Sequence, residues 1–370
     1  MTVWLFTQVA AFQGALPFVL ISYVFFVVFF AILLSFDEKR VGVMDRLATV
    51  LFHSLAIVLL LALAVVIVFT VARGAPAIIH LNFWTQDLSL AGPLDPLTVG
   101  GMLHAAVGTL IMITIALIIS IPLGLLCAIF LAEFPGRFSR IVRTVVEAMT
   151  ALPSIVCGLF IFATYVLLFG LPRSGFAASL AITIMILPII IRSADVVLRL
   201  VPGNLKEASL GLGASQWRTI WNVVLPTSRS GLMTAIILGT ARGIGETSPV
   251  LLTAGYTTYY SFNPFSGPMV SLPLATFSLV KSPEPTQIAR GFGAAAVLMV
   301  LVFVLFLVAR IIGGRGAGLL SPAGRRRVQL ASRRNAARFA ARRTTRTMDS
   351  ANRIEFGSEP ALPGTLEEQA

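Results

Sequence analysis

The chain alternates long apolar runs with short polar linkers. A membrane-spanning α-helix needs about 20 mainly apolar residues, because each residue adds roughly 1.5 Å against a hydrocarbon core of about 30 Å. Seven runs reach that length: Phe18–Phe36, Val50–Val71, Met102–Ala132, Thr144–Phe169, Phe176–Leu198, Ser230–Leu252 and Phe292–Ile312. The pattern predicts an all-α integral membrane protein with about seven transmembrane helices.

The composition excludes an ordinary soluble domain. Of the 370 residues, 57% are hydrophobic and 12% are charged, and the mean hydropathy is +0.90. Cys127 and Cys157 both lie inside apolar runs, which favours small packing residues over a disulfide framework or a metal site. The first run has no basic residue before it and no small-residue cleavage site after it, so we expect a retained helix rather than a signal peptide.

The basic residues predict the orientation, because short cytoplasmic loops are enriched in Lys and Arg. Three basic linkers are therefore expected on the cytoplasmic side: Asp37–Thr49, Glu133–Arg143 and Arg199–Arg229. Residues 1–17 contain no Lys or Arg, whereas the segment from Arg315 to Arg353 carries eleven of the 28 basic residues. The N-terminus is predicted outside and the tail inside.

Three segments divide the chain. Residues 1–45 are predicted to hold an extra N-terminal transmembrane helix and a cytoplasmic linker, and residues 46–313 the main transmembrane domain. Residues 314–370 form an Arg-rich cytoplasmic tail, which has too few apolar residues to build a core and is expected to be disordered.

The largest cytoplasmic linker contains EASLGLGASQWRTIWNVVLP, from Glu207 to Pro226. It predicts a helix, a turn at Gly213 and a second helix, with apolar faces from these residues: Leu205, Ala208, Leu212, Trp217, Ile220 and Val224. A helix that lies across the membrane surface in this way can dock into another protein. Glu207, Ala208, Ser209 and Gly213 resemble the EAA signature of ABC importer permeases, in which this loop couples to the ATPase; Ser209 stands where the signature has its second Ala. The alternative is an ordinary amphipathic connector.

The sixth run contains ARGIGETSPVLL, in which Arg242 and Glu246 are one helical turn apart. Charged groups inside a bilayer normally face a partner or a watery cavity, so we expect the two to pair when no cargo is present. The guanidinium fork fits a phosphate oxyanion bidentately, and Thr247 and Ser248 could add hydroxyl donors. Glu246 could accept the proton of hydrogen phosphate, which fully ionised sulfate lacks. The alternative is a purely structural ion pair.

This stretch resembles the RAIGET-AP segment of the PstA family of phosphate permeases. Further segments match that family in order along the chain: GGMLHAAVGTL, IPLGLLCAIFLAEF, ALPSIVCGLF, LPIIIRSADVVLRLVP and SFNPFSGPMVSLPLATFSL. Together they cover about residues 100–310. Arg192 matches an arginine of the family and is a further candidate for the substrate pathway, although Asp195 stands where the family commonly has Glu. Arg192 could equally be a snorkelling interface anchor.

The resemblance implies a type I ABC importer permease core of five to six helices, to which the first helix and the basic tail are additions. It also implies a multi-pass protein of the bacterial cytoplasmic (inner) membrane that moves inorganic phosphate by alternating access. The implied partners are a second, homologous permease subunit, two copies of an ABC ATPase, an external phosphate-binding protein and membrane lipid, without nucleic acid. No cofactor is expected on this chain, because ATP and Mg would bind to the ATPase.

Other functions remain open. The sequence has no GxxxxGK[ST] loop for nucleotide phosphates, and its three histidines are scattered, with no HExxH or GxSxG motif, so an enzyme is not expected. A permease for another oxyanion such as sulfate, molybdate or phosphonate is the main alternative. A self-contained secondary transporter would show repeats and interrupted helices around a midplane site, which the pattern does not clearly show.

Overall fold

A computed structural model of the chain describes residues 15–313, 326 and 329–335. The helices of residues 15–313 are, in order: α1 Ala15–Asp37, α2 Arg40–Ile78, α3 Asn82–Thr85, α4 Leu103–Glu133, α5 Arg137–Thr150, α6 Ser154–Ile161, α7 Gly175–Arg199, α8 Gly203–Gly211, α9 Gln216–Thr219, α10 Leu225–Ile244, α11 Ser248–Thr253, α12 Leu272–Val280 and α13 Pro285–Gly313. Wider π-helical turns extend α6 over Phe162–Leu168 and join α9 to α10 over Ile220–Val224. Residues 329–335 are also helical.

Six helical segments of the described chain are long and apolar enough to cross a membrane: Pro17–Asp37, Arg40–Ile78, Leu103–Glu133, Gly175–Arg199, Gln216–Ile244 and Pro285–Gly313. A seventh crossing arises if the bent pair Arg137–Thr150 and Ser154–Leu168 counts as one. The all-α membrane fold predicted from the apolar pattern is thereby confirmed. The predicted disorder of residues 314–370 falls almost entirely outside the described residues.

The first linker is shorter than the sequence predicts. The expected break over residues 37–49 shrinks to Glu38 and the N-cap residue Lys39, and α2 runs unbroken for 39 residues from Arg40. The residues from Arg40 to Thr49 include no proline, and the exposed Arg46 pairs with Glu38 at 3.5 Å, so nothing there forces the helix to end. The predicted domain boundary after residue 45 thus falls inside α2 and stays a prediction.

The chain divides into two compact units. The described part of the first comprises residues 15–111, 172–175 and 254–301. In it α1 folds back along α2, with the Tyr23 and Ser54 hydroxyls hydrogen-bonded. Gly74 of α2 packs against the backbone of Phe292 and Gly293, where a Cβ would lie 2.7 Å from the Gly293 nitrogen. The Arg290 guanidinium is buried and donates to three carbonyls of the loop before α4: Asp95, Pro96 and Val99.

The described part of the second unit comprises residues 112–171, 176–253, 302–313, 326 and 329–335. Its centre is the pair α4 and α7. Three contacts follow one another in the same order along both helices: the Thr183 hydroxyl with the Ala116 carbonyl, Ile190 with Gly124, and the Arg199 guanidinium with the Leu131 carbonyl. The two helices therefore run parallel. The chain between them must return across the thickness of the bundle, and only α5 and α6 are available to do so.

The fourth predicted helix is not one straight helix, because the chain bends by 102° between α5 and α6. Pro153 precedes α6 and lacks the N–H that a continuous helix would use. α5 also carries a charge at every third or fourth position, at Arg137, Arg140, Arg143 and Glu147. Such a helix is amphipathic and does not suit a path through hydrocarbon.

The sixth predicted helix is interrupted as well. α10 ends at Ile244, and α11 begins at Ser248 after a three-residue break. Pro249 is the second residue of α11, and its ring would clash with the carbonyl of Gly245 if the helix continued through. The residues predicted to bind cargo therefore lie at a helix break and not on one continuous face.

The small residues of α10 allow it to approach α7 closely. A Cβ on Gly239 would lie 2.6 Å from Ile190, and one on Gly243 would lie 2.9 Å from Ile186. Two small residues spaced by four positions on one helix face admit another helix at short range. Because Gly231 meets Val197 farther along, α10 runs antiparallel to α7.

Candidate functional site

The segment from α8 to α9 has the helix, Gly turn, helix form that the sequence predicts. Gly213 has φ +83°, a left-handed conformation that glycine adopts without the steric cost of a Cβ. Ser215 then caps α9, where its hydroxyl accepts the Arg218 N–H at 3.3 Å. The hydroxyls of Ser209 and Thr219 lie 2.9 Å apart and join the two helices across the turn.

This turn presents apolar side chains to its surroundings. Leu212 is 89% exposed, and Leu205, Leu210 and Trp217 are each exposed to between 42% and 52%. Glu207, Ala208 and Gly213 are exposed as well. Exposed apolar groups clustered on a polar linker mark an interaction surface. We call Leu205, Leu210, Leu212 and Trp217 the coupling face.

The second helix of the segment anchors it to the bundle. Ile220 and Val224 are buried with residues of α4, α7 and α10, among them Ala128, Leu198 and Leu232. The prediction that these two residues form an apolar face is confirmed, whereas Trp217 from the same predicted face belongs to the exposed coupling face.

Glu133, which the sequence analysis did not single out, joins α4 to the segment from α8 to α9 (residues 203–219), which we call the coupling segment. The Lys206 Nζ lies 2.6 Å from Glu133 Oε1, whose side chain is only 8% exposed. Gln216 donates its side-chain amide to the Glu133 backbone carbonyl at 3.2 Å. Both ends of the coupling segment are therefore attached to the last residue of α4. Sequence gave no signal for this contact beyond opposite charges in two predicted cytoplasmic linkers.

Arg242 and Glu246 form the expected pair, with Arg242 Nε 3.1 Å from Glu246 Oε1. The two side chains differ in environment, since that of Arg242 is 59% exposed and that of Glu246 only 11%. Arg242 lies in the last turn of α10, while Glu246 and Thr247 lie in the break and Ser248 begins α11. The guanidinium is open on one side, and three partly buried groups able to bind an oxyanion or its proton follow within six residues.

The break is held from outside by α6. Gly158 of α6 contacts Pro249, and a Cβ at this glycine would lie 2.6 Å from the Pro249 Cα. Pro249 and Val250 are buried, so α11 is packed against its neighbours at its first residues. Close packing here sets the position of the residues in the break.

Arg192 does not lie beside the ion pair of Arg242 and Glu246. It is exposed on α7, and the contacts of α7 with α10 place it level with about residue 237, roughly 7.5 Å along the axis from Arg242 at 1.5 Å per residue. Asp195 pairs instead with Arg143 at 3.1 Å and with Arg199 at 2.9 Å. The proposed pathway role of Arg192 stays a prediction, and this three-residue cluster was not foreseen.

Comparison with known proteins identifies the family. The family described as "Binding-protein-dependent transport system inner membrane component" matches residues 120–315. "Phosphate transport system permease protein PstA 1" of Mycobacterium tuberculosis is 36% identical over 74% of this chain and 90% of its own length. "Phosphate transport system permease protein PstA" of Pasteurella multocida is 36% identical over 66% of this chain and 86% of its own length.

Among solved structures, a bacterial ABC transporter involved in the import of the acidic polysaccharide alginate gives a TM-score of 0.46 at 12% identity. That match covers 74% of this chain and 98% of the other. The likeness is too weak to add to the assignment, which the sequence relatives carry. This chain belongs to the PstA family of binding-protein-dependent inner membrane permeases and is a multi-pass protein of the inner membrane.

Proposed function

We propose that this chain is a permease subunit of an ATP-driven ABC importer and that it moves inorganic phosphate through a path lined by Arg242 and Glu246. The observation that carries the proposal is the ion pair at the break between α10 and α11, in which a largely exposed guanidinium faces a largely buried carboxylate. The names of the PstA relatives support phosphate as the cargo.

The chemistry of the pair suits hydrogen phosphate. The guanidinium offers parallel N–H donors that match two phosphate oxygens, and its exposed side leaves room for an anion to approach. The hydroxyls of Thr247 and Ser248 can donate to a third oxygen. The Glu246 carboxylate can accept the proton that hydrogen phosphate carries, whereas fully ionised sulfate offers no such proton and would be repelled.

Release follows from the same pair. A phosphate bound to Arg242 competes with Glu246 for the guanidinium, so the ion pair opens on binding and re-forms when the anion leaves. The re-formed pair avoids an unpaired charge inside the membrane, which costs at least about 2.5–3.5 kcal/mol on the insertion scale. The empty path is thereby reset without a second ion.

Movement through alternating access requires energy from a partner, because the sequence contains no nucleotide-binding loop. We propose that the coupling face docks into a groove of an ABC ATPase, two copies of which bind ATP and Mg. Closure of the ATPases would push on α8, and the attachments of Lys206 and Gln216 to Glu133 would pass the movement to α4. A second, homologous permease and an external phosphate-binding protein complete the proposed complex.

The test is uptake by the whole complex reconstituted in liposomes with its ATPase, second permease and binding protein. Glu246→Gln keeps the size of the side chain and loses the strong acceptor for the phosphate proton. Uptake of radiolabelled phosphate should fall roughly ten- to a hundred-fold, the worth of one hydrogen bond to a charged group. Inhibition of uptake by excess sulfate should become stronger.

Glu147→Gln is the matched control, since Glu147 is an exposed carboxylate on α5 and should give parental uptake. Parental uptake and parental sulfate inhibition for Glu246→Gln would contradict the assigned cargo site. Low phosphate uptake together with strong uptake of another oxyanion by the parental complex would instead favour the alternative cargo.

A further inference from the structure

The helix α5 exposes an apolar stripe on the second unit. Its buried side, formed by Ser139, Val142 and Val146, packs on α4 and α7. Next to that side lies an apolar stripe of Phe138, Ile141 and Val145, which are 67%, 60% and 53% exposed. These three residues have the i, i+3, i+7 spacing that aligns them along one helix face.

A polar stripe follows on the remaining side of α5. Arg137, Arg140 and Thr144 have the same i, i+3, i+7 spacing, and all three are exposed, as is Glu147 in the last turn. Going around the helix, the order is therefore protein core, exposed apolar stripe and exposed basic stripe. This arrangement is typical of a helix that lies in the plane of a membrane interface.

The depth of α5 is fixed by its neighbours. Val146 forms a cluster with Leu131 of α4 and Ile191 of α7, and Phe138 meets Phe130 edge-on at a centroid distance of 5.8 Å. Phe130 and Leu131 lie in the last turns of α4, which ends at Glu133. Because α4 spans the membrane and ends there, α5 lies at the level where hydrocarbon gives way to headgroups.

The orientation of α5 also fits a position at the membrane interface. It makes an angle of 102° with the helix of residues 154–168 that follows. If that helix crosses the bilayer, α5 lies close to the membrane plane. Arg143 keeps it there, since its guanidinium pairs with Asp195 at 3.1 Å and donates to the Leu131 carbonyl at 3.4 Å.

We propose that α5 is an interfacial lipid-binding helix, with its apolar stripe among the acyl chains and Arg137 and Arg140 bound to the headgroups of anionic phospholipids. The charges of the two arginines complement a phosphodiester, and each guanidinium can bind two of its oxygens. The chain leaves the membrane at Glu133 and enters it again near Pro153, so both ends of α5 are tied to membrane-spanning segments. The proposal does not depend on the identity of the cargo.

The first experiment measures the depth of the apolar stripe in the assembled complex within a lipid bilayer. A spin label is attached to one introduced cysteine, Ile141→Cys, Arg140→Cys or Ser139→Cys, after Cys127→Ala and Cys157→Ala remove the native thiols. The label at position 141 should collide with oxygen, which concentrates in hydrocarbon. The label at position 140 should collide with a water-soluble nickel chelate, and the label at the buried position 139 with neither.

Two results of this experiment would overturn the proposal. A label at position 141 shielded from both oxygen and nickel would mean that another protein subunit covers the stripe. A label there that meets nickel as readily as the one at position 140 would mean that the helix stands in water.

The second experiment tests the arginines. The complex is exchanged into mixtures of phosphatidylglycerol and phosphatidylcholine, and the lipids it retains are counted by native mass spectrometry. Arg137→Gln with Arg140→Gln should lower the preference for phosphatidylglycerol by roughly fivefold for each arginine lost. Arg137→Lys with Arg140→Lys keeps both charges and should keep most of the preference.

Both variants must still co-purify with the other subunits, so that a loss of lipid preference is not a loss of folding. An unchanged preference in an assembled glutamine variant would show that these arginines do not bind anionic lipid, and that part of the proposal would fall. An equal loss in the glutamine and lysine variants would show that the guanidinium fork, and not charge alone, binds the headgroup, which supports the bidentate contact.

Discussion

Arg242 and Glu246 show how the end of a helix changes what two residues can do. On a continuous helix their spacing of four would hold both side chains on one face. Because α10 ends at Ile244, Glu246 lies in the break before α11, where its N–H donates to the Gly243 carbonyl at 3.3 Å. The carboxylate can therefore leave Arg242 for a ligand by a local rotation, without unwinding a helical turn.

The first prediction concerns the guanidinium itself. Arg242→Lys keeps the positive charge near Glu246 but loses the planar fork of donors. Phosphate uptake by the reconstituted complex should fall roughly tenfold or more, the cost of one charge-assisted hydrogen bond, while the amount of assembled complex stays the same. Uptake at the parental rate would show that charge alone suffices there.

A reversal of the pair separates a transport role from a structural one. Arg242→Glu with Glu246→Arg preserves the ion pair but moves the guanidinium from a position that is 59% exposed to one that is 11% exposed. The double variant should assemble without transporting phosphate. If it assembles and transports at the parental rate, the pair is structural and the cargo site lies elsewhere.

At the scale of the element, the coupling segment combines an anchored half and an exposed half. Ile220 and Val224 are buried in the bundle, while Leu212 projects from the turn beside Gly213. The positive φ of Gly213 means that any side chain placed there strains the turn itself. Leu212 is therefore the better residue for testing docking, because a change there alters the surface and leaves the backbone alone.

A further prediction is that Leu212→Asp separates this subunit from its ATPase. A charge in the middle of the coupling face should be poorly accommodated in an apolar groove, so co-purification of the ATPase should be lost while insertion into the membrane is normal. Leu90→Asp is the matched control, since Leu90 is 87% exposed on a loop predicted to lie on the opposite side of the membrane. Retention of the ATPase by Leu212→Asp, together with normal ATP hydrolysis, would show that the coupling face is assigned wrongly.

Sequence predicted the elements that depend on local pattern and missed those that depend on packing. The apolar runs gave the membrane helices, and the Gly213 turn followed from its flanking helical patterns. Pro153 predicts a kink in its helix but not a bend of 102°. The break before Pro249 was not placed, because a hydropathy window counts apolar residues and does not weigh a single proline. The Glu133 attachments join residues about 70 to 80 positions apart, which no local pattern encodes.

At the scale of the whole molecule, the number of crossings fixes which side each loop faces. The parallel contacts of α4 and α7 require the chain to return between them, which α5 and α6 accomplish together. If α1 and the bent pair of α5 and α6 each cross, the described chain has seven crossings, an odd number. The distribution of Lys and Arg predicts the same parity, with the chain outside before α1 and inside after α13.

The last prediction tests this topology at three positions along the chain. In a chain carrying Cys127→Ala and Cys157→Ala, a membrane-impermeant thiol reagent applied to intact cells should label Leu171→Cys, which follows α6 and is 41% exposed. It should also label Thr2→Cys, because α1 is predicted to enter the membrane from outside. Asn204→Cys, exposed in α8, should react only after the cells are opened.

Protection of Leu171→Cys with labelling of Asn204→Cys would contradict this topology, because a reversed core and a re-entrant loop of α5 and α6 both give that pattern. Protection of Leu171→Cys and Asn204→Cys alike would mean that α7 does not cross the bilayer. Protection of Thr2→Cys alone would show that α1 does not span the bilayer, without changing the topology of the other helices. This outcome is worth testing because none of the most apolar window of α1 is buried against the rest of the chain.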